Sequence, residues 1–196
     1  TDEKESVYAS WNRGILASHG TFVINANVDD RFMSHALEHL SSLLIQNEKA
    51  IGSYGQWLYT HTPNDTFDSP KIKAYFEYPN WTPPLLFYGQ MTSHAAMLKK
   101  SAVANLGGFD VKAKVYGDRE FMFRAGAFRG MILRSDDIVG LYYENPDGIT
   151  NTNIQRSKKE IETICQHYAK PEFFSSLWKK NSSISPETLS DLYART

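Results

Sequence analysis

The chain has 196 residues, 41% hydrophobic and 13% aromatic. That is enough apolar material for one sizeable core and too much for a disordered segment. Its 21 basic and 22 acidic side chains leave a net charge of -1, so no overall field favours nucleic acid or an anionic membrane surface. Whatever binds must bind locally.

The one cysteine, Cys165, excludes an internal disulfide and falls in a helical pattern with Ile161, Ile164 and Tyr168. It reads as a core thiol in a reducing cytoplasm. No run of about 18 apolar residues exists, and Thr1 to Ser6 is polar and acidic, unlike a signal peptide. The expected location is the cytoplasm, with a peripheral position on the cytoplasmic membrane face as its variant.

In chain order, Tyr8, Trp11, Ile15 and Leu16 recur at helical spacing, and His19-Gly20 stops that helix. Thr21 to Asn25 follows as a β-rich strand, and Asn27-Val28-Asp29-Asp30 lies just beyond its end. Met33, Ala36, Leu37, Leu40, Leu43 and Leu44 form the apolar stripe of a second helix, with Ser34 as the expected N-cap. Tyr54 to Thr60 and Ala74 to Tyr78 read as strands, and 79–84 as a loop carrying Trp81. Met97 to Leu106 is expected to be helical up to Gly107-Gly108, and Asp118 to Ala127 forms a further helix. Ile138 to Tyr143 is a strand. Helix resumes from Gln155 to Tyr168 and again after Pro171, through Phe173, Phe174, Leu177 and Trp178, before a polar end from Ser185. These elements divide the chain into an α/β portion, 1–152, and a helical C-terminal extension, 153–196, packed on it.

Two acidic clusters carry the chemistry. Asp29 and Asp30 sit where ligands bind at the carboxyl edge of an open α/β sheet, and their hard oxygens suit Mg²⁺ or Mn²⁺ on a diphosphate. The same pair also serves as ordinary caps for the next helix. Tyr116-Gly117-Asp118-Arg119-Glu120 lies at a helix start, with Gly117 freeing the turn. Asp118 there is either a proton acceptor or an N-cap. Glu120 and Arg124 are four apart and match a helix-face ion pair. His35 and His39 share a helix spacing but flank Glu38 opposite the apolar stripe, which reads as a solvated face. His61, in a polar loop, has a lesser claim as a metal ligand.

Several of these segments, in this order, resemble glycosyltransferase family 2 of the GT-A type. Asn12-Arg13-Gly14-Ile15, then Ala17-Ser18-His19-Gly20 and the strand ending in Asn27-Val28-Asp29-Asp30 are similar to that family's helix, strand and Asp-x-Asp-Asp stretch. Asn27 replaces the first acid. Leu106-Gly107-Gly108-Phe109-Asp110 is similar to its Gly-Gly-Phe-Asp turn, Gly117-Asp118-Arg119-Glu120 to its acidic motif, and Asn145 to Thr150 to its closing loop. The resemblance implies a GT-A-like mixed sheet flanked by helices, partial because the N-terminal βα units that hold the nucleotide base are missing. It implies inverting transfer of a sugar from a nucleotide-diphosphate donor to a saccharide or lipid-linked acceptor. Asn27, Asp29 and Asp30 fall on the donor site, Asp29 and Asp30 on the metal, and Asp118 on the general base. Trp57, Trp81, His94 and Glu120 fall on the acceptor side, with core packing as the other reading of Trp57. A missing N-terminal half, or a partner chain that supplies it, is the expected complement. The rival readings are a non-catalytic sugar or nucleotide-sugar binding fragment and a metal-dependent nucleotidyltransferase or phosphatase.

Overall fold

A computed structural model describes residues 5–93, 95–152, 154–170 and 173. The expected helix after Pro171, the polar end from Ser185 and His94 lie outside the described residues, apart from Phe173, which is helical. Six strands form one mixed sheet: β1 Phe22–Val23, β2 Arg31–Phe32, β3 Ala50–Thr60, β4 Ile72–Phe76, β5 Met97–Lys99 and β6 Met131–Tyr143. Their order is β1-β5-β3-β6-β2, with β4 pairing the far end of β3. Only β3 and β6 run parallel. That pair forms the centre of the sheet. β3 is buried along most of its length, which explains why it reads as a nearly unbroken apolar and small-residue run instead of an alternating one.

Helices α1 Val7–Ala17, α2 Ala36–Gln46, α3 Lys100–Asn105, α4 Gly117–Ala127, α5 Ile149–Thr152 and α6 Ile154–Tyr168 flank the sheet, with a 3₁₀ turn at Pro83–Phe87. The α/β class and the helix-flanked mixed sheet match the expectation. Three local readings change. Met97 to Lys99 is a strand, because its apolar side chains add to the sheet beside Gly52 and Ser53 before α3 begins. Ser34 is not the cap of α2; His35 takes that position without a side-chain bond. β2 intervenes between Asp30 and α2, so Asp29 and Asp30 cannot cap that helix.

Cys165 is buried with Tyr168 in the core, as its helical pattern predicts. His39 does not face solvent freely; its Nε2 lies 2.7 Å from Ser135 Oγ on β6 and 3.3 Å from Asp137 Oδ2. No helix among the described residues is long and apolar enough to cross a membrane.

Candidate functional site

The two motif halves meet through one asparagine. Asn12 on α1 donates from Nδ2 to the Phe109 carbonyl at 2.7 Å and accepts the Phe109 N–H on Oδ1 at 2.8 Å. It thereby reads the backbone of the Gly-Gly-Phe-Asp turn as a neighbouring strand would. Gly108 has φ +75°, and a Cβ there would stand 2.9 Å from Asn12 Oδ1, so both its handedness and the close approach require glycine. Tyr8, Trp11 and Phe109 then pack edge and face between α1 and the turn.

α4 presents the second acidic cluster. Its N-cap is Tyr116, so Asp118 lies inside the first turn and is not the cap. Gly117 has an ordinary backbone; its smallness is what counts, because a Cβ would fall 2.7 Å from the Tyr8 ring. The Tyr8 hydroxyl gives its proton to the Val115 carbonyl at 2.6 Å and lies 3.4 Å from Asp118 Oδ1. Burial raises the Tyr8 phenol far above its usual range, and the Asp118 charge adds to it. Gln90 Nε2 approaches Asp118 Oδ2 at 3.4 Å.

The turn before α4 is held by a residue that the sequence reading missed. Glu160 on α6 accepts the N–H groups of Lys114, Val115 and Tyr116 at 2.8 to 3.1 Å. Glu120 completes a second tie. It accepts from Arg124 through both oxygens and from the Tyr168 hydroxyl at 2.6 Å, while Arg124 also donates to the Leu106 carbonyl. Glu120 therefore faces α6 and staples it to α4, away from the cavity that Asp118 lines. The helix-face pair expected with Arg124 is present.

The first acidic cluster is a hydrogen-bonded chain. Asn25 Nδ2 donates to Asn27 Oδ1 at 2.8 Å, and Asn27 Nδ2 donates to Asp30 Oδ2 at 2.9 Å. Asp30 is 7% exposed, and its other oxygen accepts the Tyr143 N–H at 3.2 Å, where β6 ends. An aspartate at position 27 would put two carboxylates at that distance, whereas the asparagine gives the buried Asp30 a hydrogen-bond donor. Asp29, half-buried, makes no hydrogen bond among the described residues.

Between the clusters stands a row of tyrosines. The Tyr59 and Tyr78 hydroxyls lie 2.9 Å apart. Burial raises both phenols; Tyr78 also feels Tyr59, Tyr142 and Asp118, and Tyr59 feels Asp30 and Glu144. Tyr142 is pushed up to about 12 by burial first and then by Asp30, Tyr59, Glu144 and Asp29. An ordinary tyrosine in the unfolded chain ionises near pH ~10. Between about pH 10 and the folded value the unfolded state therefore holds fewer protons, and stability falls as pH rises. The melting temperature of the protein should drop through that alkaline window, and Tyr142→Phe should flatten the drop.

The remaining expected site residues are placed as follows. Trp57 is fully buried, edge-to-face with Phe32, so its ring cannot stack on a sugar and the core reading holds. Trp81 is half-buried and donates from Nε1 to the Gly130 carbonyl at 2.8 Å, pinning its loop to the turn after α4. His61 Nε2 lies 2.8 Å from Glu144 Oε2 and 2.7 Å from Lys73 Nζ, an exposed polar cluster. Lys73 first and His61 second hold the Glu144 carboxyl below its usual value.

α1, β1 and α4 together enclose a cavity of about 470 Å³. Trp11, Ile15, Val23 and Met122 make its apolar walls, while Asn25 and Asp118 contribute polar groups. The segment leading into the first acidic cluster and the carboxylate of the second thus open on one space.

No protein-family model matches the chain, and no curated protein matches it. Solved structures do. A crystal structure of S. aureus TarS superposes with a TM-score of 0.57 at 12% identity, covering 97% of this chain and 30% of that one. TarS 1-349 gives 0.56 at 13% identity, covering 96% of this chain and 49% of that one. TarS 1-349 in complex with UDP gives 0.58 at 14% identity, covering 97% and 50%. The fold is similar to that of TarS, and the chain spans half or less of the length of the structures it matches.

Proposed function

We propose that the chain is the acceptor-side part of the catalytic domain of an inverting glycosyltransferase of the GT-A, family 2 type. It would move a sugar from a nucleotide-diphosphate donor to a hydroxyl of a saccharide or lipid-linked acceptor, in polysaccharide or glycan assembly in the cytoplasm. The observation that carries this reading is the shared cavity: Asp118 and the Asn25 end of the first acidic cluster line the same space. The likeness to TarS, one of whose structures holds UDP, supports it.

In this reading Asp118, in the first turn of α4, takes the proton of the attacking acceptor hydroxyl. Glu160 and Glu120 hold α4 in place so that the carboxylate keeps its aim. Asn27 and Asp30 shape the donor-side loop. Among the described residues no group of three His, Cys, Asp or Glu side chains gathers as a metal site. The residues present fit Mg²⁺ or Mn²⁺ held by one or two carboxylates and completed by substrate phosphate. Asp29 would be the direct ligand, and Asp30, already engaged with Asn27 and the Tyr143 N–H, the weaker one. When bound there, the cation would offset charge on the departing diphosphate, a contribution of roughly several kcal/mol. Asn27, the departure that favoured a non-catalytic binding fragment, has its reason in the bond to Asp30.

The test is a thermal-shift titration with Mn²⁺ and UDP-glucose or UDP-N-acetylglucosamine, alongside donor hydrolysis. Asp29→Asn should remove the Mn²⁺-dependent shift while leaving the metal-free melting point nearly unchanged. Asp30→Asn should lower the metal-free melting point as well, because it disturbs the buried chain to Asn27. An intact Mn²⁺ shift in Asp29→Asn would move the cation elsewhere, and no donor turnover with any nucleotide sugar by the complete catalytic domain would refute the transferase.

A further inference from the structure

With Trp57 buried, the aromatic surface open to a ligand lies one residue pair further along the same sheet face. Side chains two apart on a strand point to the same side, so Tyr59 follows Trp57 there. β2 runs antiparallel to β6 and starts at Arg31, so its Phe32 covers Trp57 while no β2 residue stands opposite Tyr142, the β6 neighbour of Tyr59. Phe76 on β4 and Tyr142 on β6 flank Tyr59, with ring centroids 4.1 Å and 4.8 Å from it. The result is a contiguous row of rings across three strands. Phe76 is 48% exposed, and Tyr59 and Tyr142 are half-buried.

Cross-strand ring pairs stabilise a sheet whether or not anything binds them. The polar rim distinguishes this row from plain packing. The Tyr59 and Tyr78 hydroxyls meet at its inner edge, and Asp30, which accepts the Tyr143 N–H, and Glu144 stand at the end of β6 next to Tyr142. Lys73 and His61 already engage Glu144, so cationic charge at the rim is committed. Apolar faces bounded by hydroxyl and carboxylate acceptors suit a ligand with a C–H face and a hydroxyl edge. The excess of carboxylates disfavours an anionic one.

We propose that the outer face of Phe76, backed by the stacked rings of Tyr59 and Tyr142, is a platform for a neutral pyranose ring of the acceptor. This rests on the transferase reading for the word acceptor. The pyranose lies with its C–H face on Phe76 and turns its hydroxyls toward the Tyr59–Tyr78 hydroxyl pair. Phe76, the most exposed of the three, makes the largest part of the open face and carries none of the chemistry.

The experiment is saturation-transfer NMR on the whole chain with methyl β-D-glucopyranoside and methyl N-acetyl-β-D-glucosaminide. Mannitol serves as an acyclic polyol control, and UDP is titrated separately into the same samples. The pyranosides should bind and mannitol should not. Phe76→Ala should weaken pyranoside binding by about tenfold, the size of one aromatic contact, leave UDP binding unchanged and lower the melting point only slightly, as loss of one cross-strand ring pair does. Phe76→Trp should retain pyranoside binding, which separates loss of a ring from damage to β4. Failure of both pyranosides to bind, equal binding of mannitol, or equal binding to Phe76→Ala would each overturn the platform. Pyranoside binding that depends on Phe76, with no nucleotide-sugar turnover by the complete catalytic domain, would uphold the platform and refute the transferase.

Discussion

Replacing Asp118 with Asn should lower sugar transfer by about 10²- to 10⁴-fold, the range for removal of a general base, with UDP-sugar affinity retained. The substitution preserves shape and hydrogen-bonding capacity and removes basicity. Its effect on folding should be small, because the cap of α4 is Tyr116 and the preceding turn is secured by Glu160. A change within about 0.5 kcal/mol is the ordinary range for a site without a structural duty. Glu120→Gln is the matched control. Glu120 bonds Arg124 and Tyr168 across α4 and α6, so its loss should appear in the melting curve before it appears in turnover. Transfer and hydrolysis rates of the complete catalytic domain with saturating donor, read beside thermal melts of both variants, decide between them. If Asp118→Asn keeps most of its transfer activity, or if its chief effect is on stability, Asp118 is structural and the base lies elsewhere. The reverse pattern, with turnover lost in Glu120→Gln at unchanged stability, would exchange their roles.

What could be read from the sequence followed from period and punctuation. α1 and α4 show helical spacing with clear stops, and β3 is a long β-rich run, so all three were legible. Gly107 and Gly108 announce their turn, and both indeed have positive φ. β2 and β5 were not legible as strands. They have two and three residues and exist because neighbours already in the sheet accept them. The roles of single polar residues were harder still. Asn12 holds Phe109 from 97 positions away, and Glu160 reaches back 44 to 46 positions to the turn before α4. No local pattern records such contacts. Gly117 illustrates the difference: flexibility is the local reason for a glycine, while the structure supplies another, the Tyr8 ring in the space of its missing side chain. Trp57 was ambiguous for a similar reason, since a tryptophan in a strand offers the same letters whether it faces a ligand or a second layer.

Trp57 and Gly140 make a pair whose energetics can be separated by experiment. They face each other in the parallel register of β3 and β6. The Trp57 ring lies across Gly140 so closely that a Cβ would sit 2.4 Å from its six-membered ring. Trp57→Ala should cost about 3–5 kcal/mol, as for other fully buried large aromatics. Gly140→Ala should cost about 1–3 kcal/mol, because the ring is held by Phe32 on its other side and cannot simply retreat. In the double variant the methyl group at position 140 enters space the ring has left. The clash disappears, and part of the cavity is filled. The double variant should therefore be more stable than the sum of the single costs predicts, with a coupling of about 1–3 kcal/mol for residues in direct contact. Urea unfolding with an unchanged m-value measures all three. Additive costs would mean that the ring is not pressed on Gly140 and that β3 and β6 are spaced differently. A Trp57→Phe variant serves as the functional check. It keeps an aromatic ring under the sheet face that carries Tyr59, so acceptor and donor affinities should both persist at reduced stability. A selective loss of acceptor affinity in that variant would return Trp57 to the binding surface.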